Sequence, residues 1–450
     1  MAAEALMRAL LYANTDGVAN MYHGSGVQTR ILMDAWACVE AKLQVADCGR
    51  WDLHVAVHDW TIPSSDYRVD DDMLESSLAR ANASGIRIHR LPHDARNPLW
   101  AYAKWAELSS SAADLLSQLA EEYDQVLFIG VDVPYALVRE CCENTLPGWK
   151  LDKILFALAF HSSAVVDGQG WIPGREALER EYVRRANEDA STFITTLTPF
   201  FDGKIERDYG ARSDAWMRLG HGVSSGAAEM APYTAAECAS VVEGFGIDRT
   251  LPLVVHFGRD HPMKRIPFAI EAVSRVRRPC HLVLIAAIPG SHELDGAAPH
   301  AVQLRREIES YDYITRFERE LPRALAGLPE TVAFLLSAEG EPMGQIPQEV
   351  ACWSRDAAPV IVAPRHGGYQ DQLADGETGF MFDVTDVESF TGAIERAMDA
   401  PVSDRRRMSA AMREQVLTKF DAATNFSELL VSIEAGAYGR TSQDDKADAE

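Results

Sequence analysis

Apolar positions along the chain change period again and again, from runs in which every residue is apolar to stretches in which apolar residues return every three to four places. MRALLYAN (7–14) is a short apolar run ended by turn residues, the pattern of a strand buried on both faces. Val27, Ile31, Ala35, Val39 and Leu43 then recur at helical spacing. DLHVAVHDW (52–60), IRIHRLP (86–92), QVLFIG (125–130) and KILFALAF (153–160) read as further strands. Between them, 70–85, 99–121 and 175–191 read as helices, the first opened by Asp70–Asp72 and closed by Gly85. His54 and His58 stand four apart, but in a strand pattern that does not place them as a helical metal-ligand pair.

The alternation lapses at GHGVSSGAAEMAPYTAAE (220–237), a small, polar stretch taken as a domain connection, and then restarts. Strands are predicted at 251–258, 281–290, 331–337, 359–364 and 379–383, and a helix at 267–276. A charged stretch up to about 328 stays unassigned. A later helix turns Phe390, Ile394, Ala397 and Met398 to one side, with Thr385 and Glu388 spaced as a capping box. Another amphipathic helix carries Phe426, Leu429, Leu430 and Ile433, and the polar tail from 437 is expected to be disordered. The expectation is an α/β protein with two doubly wound parallel sheets. The domains are predicted at 1–232 and 233–415, with a terminal helix at 416–436 and the tail at 437–450.

Composition narrows the function. With 67 acidic against 43 basic residues the net charge is −24, which argues against nucleic acid or an anionic membrane as partner. No apolar run approaches a membrane span and no leader is evident, so a cytoplasmic protein without stable membrane association is expected. Seven cysteines without metal-ligand spacing fit a reducing compartment.

Four segments carry candidate chemistry. In SAEGEPMGQIPQEVACW (337–353), a strand leads through Glu341, Met343, Gly344 and Gln345 into a helix whose first turn holds Pro347 and Glu349. Such a turn directs N–H groups and a positive dipole end outward, an anion site flanked by two carboxylates able to accept from sugar hydroxyls. In VVHFGRDHPMKR (254–265), Arg259 and Lys264 follow a strand end and suit a diphosphate. Gly24 and Gly26 in YHGSGVQTR (22–30) allow close backbone approach, though without the dinucleotide fingerprint. APRHGGYQDQLADGETGF (363–380) offers a Gly367–Gly368 turn and Asp371. Each segment alone also reads as ordinary surface or connecting loop.

Taken together, EPMGQIPQEV, PVIVAPRHGGYQDQLADGETGF and FGRDHPMKR resemble, in order and spacing, the family 4-type retaining glycosyltransferases of GT-B fold. The resemblance covers roughly 250–400 and implies two Rossmann-like domains facing across a cleft. It implies that Glu341 contacts hydroxyls of the donor sugar and Glu349 the nucleotide ribose. Arg259 and Lys264 would bind the diphosphate and stabilise its departure, and Gly26 would approach the phosphates. Gly367, Gly368 and Asp371 match the turn after the fourth strand, where the family usually has Glu in place of Asp371. His161 resembles the family histidine that faces the reacting sugar, a core or surface histidine being the other reading. The chain departs from the family at Met343, often aromatic, and at Arg265, often glycine.

The activity so implied is metal-independent transfer, with retention, from a nucleotide-diphosphate sugar to a small polar acceptor. The setting would be natural-product synthesis, such as sugar-containing antibiotics, or disaccharide synthesis. No cofactor is called for, and a homodimer is compatible with the sequence. The competing readings are a nucleotide-sugar epimerase or hydrolase, or a non-catalytic nucleotide-sugar-binding protein, on the same fold. Trp60, Trp100 and Trp105 are candidate acceptor contacts, although tryptophan is more often core.

Overall fold

The computed structural model describes residues 6–20, 24–64, 69–165, 172–220, 222–287, 299–316, 318–354 and 357–436. Contacts divide the chain into two compact units. The first takes the chain up to Ser224 and again from Ala422, and the second is Ser225–Asp421.

The first unit is built on β1 (Arg8–Ala13), β2 (Trp51–His58), β3 (Arg87–Leu91), β4 (Gln125–Val131), β5 (Ile154–Ala159), β6 (Thr192–Thr196) and β7 (Trp216–Arg218). All pairings are parallel, in the order β3-β2-β1-β4-β5-β6-β7. The two-residue period of a strand explains why β1 has to be apolar throughout. Ala9, Leu11 and Ala13 enter the core on one face, while Leu10 and Tyr12 enter the core on the other. The second face is completed by Phe426, Leu429, Leu430 and Ile433 of the helix Ala422–Glu434.

The second unit has β8 (Leu253–Arg259), β9 (His281–Ala287), β10 (Tyr311–Ile314), β11 (Thr331–Leu335), β12 (Val360–Pro364) and β13 (Gly379–Phe382). Its order is β10-β9-β8-β11-β12-β13, again all parallel. Both sheets therefore have the Rossmann order, in which direction reverses between the first and fourth strands of each unit. Ligands of such sheets bind beyond the strand carboxyl ends at that reversal, here between β1 and β4 and between β8 and β11.

Several details differ from expectation. The units part at Ser224 rather than at 232, because Ala228–Ala231 is tied to the second unit. There Trp353 Nε1 donates to Glu229 O at 2.8 Å, and Arg323 donates to Ala228 O and Ala231 O. The helix after β13 is capped by Asp386, which accepts from Glu388 N at 2.9 Å, and not by Thr385, whose hydroxyl donates to Asp383. The span 416–436 holds the end of one helix (Val402–Lys419) and all of the next, broken at Phe420–Asp421. The unassigned charged stretch contains the helices Ala301–Glu307 and Glu320–Ala326 with β10 between them. Asp70 caps its helix by accepting from Met73 N at 3.0 Å, a local role for that acidic run. The predicted tail lies outside the described residues.

Candidate functional site

In the second unit the reversal point is lined by the segments that follow β8 and β11. β8 ends on half-buried Gly258 and Arg259, and a single turn, Pro262–Lys264, follows. Arg265 closes that turn with φ +49°, a left-handed conformation that costs a side-chain-bearing residue about 1–2 kcal/mol. Its guanidinium is fastened by donation to Val384 O at 2.5 Å and by stacking 4.2 Å from the Phe268 ring centre. The position asks for glycine, and Arg265 holds the conformation through its side chain instead.

Two bonds fix the Lys264 backbone to β8 and β11. Ser337 Oγ donates to Lys264 O at 2.5 Å, and His256 Nε2 lies 3.1 Å from the same hydroxyl. Since the hydroxyl hydrogen is used on Lys264, His256 donates from Nε2. Burial, with the Lys264 charge nearby, holds its imidazole down to about 4, so the ring is neutral. The Lys264 ammonium contacts Glu341 Oε2 directly.

Glu341 begins the loop into the helix Ile346–Trp353, and the Gly367–Gly368 turn shapes that loop from below. Gly368 N donates to Glu341 O at 2.8 Å. A Cβ on Gly368 would lie 2.4 Å from Pro342 O, and one on Gly367, at φ +63°, 2.5 Å from Glu341 O. Gln372 Nε2 donates to Met343 O and to Gly344 O, and Gly344, at φ +74°, packs so closely that a Cβ would meet Tyr369. Met343 is buried in this packing, and Asp371 lies half-buried in the short helix Tyr369–Gln372. Gln345 stands at the N-cap position of the Ile346–Trp353 helix without a capping side-chain bond, its Nε2 buried with no hydrogen-bond partner. Glu349, buried in the first turn, accepts from Arg319 at 2.9 Å through Oε1. Thus the second unit gathers Arg259, Lys264, Glu341, Met343, Gly344, Gln345, Glu349, Gly367, Gly368 and Asp371 onto neighbouring loops. It adds Arg319, His256 and Ser337, which the sequence reading passed over. Ser337 was visible as a polar residue ending an apolar run; Arg319 lay in the unassigned stretch.

The first unit is organised differently. Gly24 opens the first helix, three residues earlier than predicted, and Gly26 lies in its first turn, where a Cβ would sit 2.5 Å from Asp16 Cγ. The close approach seen here is thus to a buried carboxylate. Tyr22 and His23 lie outside the described residues. Asn14 Nδ2 donates to Thr29 Oγ1 at 2.8 Å, and that hydroxyl donates to Asp16 O at 3.0 Å.

At the end of β4, Asp132 has φ +59° and ψ −174°, at the edge of a region almost reserved for glycine. It accepts from His161 N and Ser162 N, each at 2.9 Å, and from Ser162 Oγ at 3.0 Å. Fully buried Arg175 donates to Ser162 Oγ at 2.8 Å and to Glu179 at 2.6 Å. Burial raises the Asp132 carboxyl, opposed by Arg175. His161 itself is half-buried, and burial pushes its imidazole down to about 3, so the ring is neutral. Asp132 and Arg175 were missed because their signal is a backbone conformation and a buried charge, neither of which has a period. Trp105 is core, its Nε1 donating to Leu99 O at 2.9 Å. Among the described residues no helix is long and apolar enough to cross a membrane.

Residues 241–415 match the family described as Glycosyl transferases group 1. The α-maltose-1-phosphate synthase of Mycolicibacterium smegmatis is 26% identical over 190 residues, 41% of this chain and 48% of that protein. The match therefore spans about half the length of that relative. The sucrose-phosphate synthase of Thermosynechococcus elongatus superposes with a TM-score of 0.68 at 14% identity, over 95% of this chain and 99% of that one. Anabaena HepE in complex with UDP-glucose gives 0.65 at 14% identity, with the same coverage. Two parallel sheets of Rossmann order, with a fold match over both, give the protein the GT-B fold, and residues 241–415 are similar to the group 1 glycosyltransferases.

Proposed function

We propose that the protein is a retaining, metal-independent glycosyltransferase that moves a sugar from a nucleotide-diphosphate donor to a small soluble acceptor. The observation that carries this is the second unit's reversal point. There a cation from the β8 side meets a carboxylate from the β11 side, next to a helix start whose own carboxylate is held by Arg319. A relative named for α-maltose-1-phosphate, together with fold neighbours named for sucrose-phosphate and solved with UDP-glucose, supports a sugar-nucleotide donor and a small, polar acceptor. Natural-product or disaccharide synthesis suits that chemistry.

In this reading the bond between the sugar and the diphosphate breaks, and the acceptor attacks from the face the diphosphate leaves. Negative charge grows on the departing diphosphate. Arg259, Lys264 and the N–H groups of the Ile346–Trp353 helix start stabilise that charge more in the transition state than before it. Glu349 accepts from the ribose hydroxyls through the oxygen that Arg319 leaves open. Glu341 accepts from the sugar. The steps drawn require no metal.

The test is thermal unfolding against UDP, GDP, ADP and dTDP and their sugar conjugates. Ligand at 100 times its dissociation constant adds about 2.7 kcal/mol, or several degrees. One nucleotide should raise Tm in wild type and fail to do so in Glu349→Ala. No shift with any of them, in folded protein, overturns the reading.

A further inference from the structure

The contact between Lys264 Nζ and Glu341 Oε2 joins two residues that the proposed function assigns to opposite ends of one donor. Lys264 belongs to the diphosphate and Glu341 to the sugar. Their backbones are pinned independently. Ser337 Oγ, itself bonded to His256, holds Lys264 O, and Glu339 N donates to Met263 O at 3.2 Å across the same turn. Gly368 N holds Glu341 O, with the Gly367 backbone closed against it. The two side chains remain 19% and 21% exposed. A ligand can therefore reach the pair, and only the side chains can change partners.

We propose that Glu341 makes this site prefer a sugar-bearing nucleotide over the bare nucleoside diphosphate, an inference that rests on the function proposed above. A diphosphate taking Lys264 has to compete with the Glu341 carboxylate and then lie close to it. The bare nucleotide brings further negative charge and has no sugar beyond its own ribose, so it leaves Glu341 unpaired beside an anion. A nucleotide sugar carries hydroxyls that donate to Glu341 as Lys264 turns to the phosphates, and both ends of the pair are satisfied again. Once the sugar has been transferred, Glu341 loses its hydroxyl partner and returns to Lys264. The spent nucleotide is thereby weakened at the step where it must leave. Only non-covalent partners change in this exchange.

Isothermal titration of the full chain with UDP and UDP-glucose tests this, with the ADP and GDP pairs run in parallel to find the base that binds. Wild type should favour the conjugate. Glu341→Gln should bind the bare diphosphate about tenfold more tightly than wild type, the size of one charge-assisted hydrogen bond, and lose the preference. In a Lys264→Met background the same change should gain clearly less than tenfold, since the competition for the ammonium is already gone and only the carboxylate's repulsion of the diphosphate remains to be relieved. Glu341→Ala carries the same expectation if Glu341→Gln does not fold. Diphosphate affinity unchanged or reduced in the Glu341 variants overturns the inference while leaving the glycosyltransferase reading in place. If folded wild type binds none of the nucleotides or conjugates, the reading falls and the inference with it.

Discussion

Where the strand order reverses, the second unit presents Lys264 and Glu341 on half-buried loops, whereas the first presents Asp16 and Asp132 sunk beneath the surface. The first six strands of the first sheet follow the same order as the six of the second, so the strand order reverses at the same place in both. In the second unit the groups at the crevice hold one another through reachable side chains. In the first, Asp132 is committed to His161 N and to Ser162, and Gly26 closes over Asp16. Topology supplies the place, and what a unit can bind depends on which polar groups its own packing leaves reachable.

The comparison can be broken most forcefully at Lys264. If the second unit's crevice stabilises a departing diphosphate, Lys264→Ala should lower kcat by roughly 100- to 1000-fold, about 2.7–4 kcal/mol, with Tm near wild type. Steady-state kinetics with the donor that binds checks this, and near-normal kcat would remove Lys264 from the reaction. Gly368→Ala comes next. Its Cβ would meet backbone rather than a flexible side chain, so a loss of about 1–3 kcal/mol and displacement of the Glu341–Met343 loop are expected. Denaturant melts and nucleotide titration would show it, and an unchanged midpoint would mean that the loop gives way freely.

The first unit is probed by Asp132→Ala, which leaves the His161 and Ser162 N–H groups without their acceptor and should cost about 1–3 kcal/mol. Nucleotide affinity should be unaffected if the second unit alone holds the donor, and a parallel fall in affinity would contradict that division of labour.

Acid distinguishes the units without any substitution. Burial holds His54 and His58 at about 4 and His161 at about 3 in the first unit, against His256 at about 4 in the second. All four are lowered from 6.5, so the unfolded chain binds protons that the folded one refuses. Stability is full above 6.5 and is lost as pH falls toward 4, by up to about 1.4 kcal/mol per histidine per pH unit. Asp132 and Glu179, pushed up by burial, titrate in the opposite sense and blunt the loss in the first unit. The first unit should still melt earlier than the second between pH 6.5 and 4, as resolved by calorimetry. The smallest effect belongs to Arg265→Gly. Relief of about 1–2 kcal/mol of left-handed strain is set against a lost stacking contact of about 0.5–1 kcal/mol and a lost hydrogen bond to Val384 O of about 0.5–1.5 kcal/mol, so Tm should move by only a degree or two.

The apolar runs told most of the fold because a strand buried on both faces has little room for anything else, as at 7–14, 125–130 and 331–337. TFITT (192–196) and WMR (216–218) were missed because β6 is largely threonine and β7 only three residues long. The helix Val402–Lys419 was missed because only Arg405, Met408, Met412 and Val416 face inward, a narrow stripe headed by a charge. At the site, Lys264, Glu341 and Glu349 were legible from residue type and position after strands. That Lys264 and Glu341 touch, and that Arg319 reaches Glu349 from thirty residues away, follows from strand order and cannot be seen in local spacing.

The path of the chain through the first unit has a consequence for its birth. Its sheet is encoded by the first half of the sequence, but the helix that seals one face, Ala422–Glu434, emerges from the ribosome only after the whole second unit has been made. Until then Leu32, Trp36, Val39 and Leu43 of the first helix lack their cover, and Arg8 and Gly49 wait for Glu434. The unit made first is thus finished last, and a nascent chain halted near Asp421 should expose an apolar face that binds hydrophobic dye and attracts chaperones. A stalled chain of that length as silent toward dye as the full protein would show that the sheet closes without its final helix.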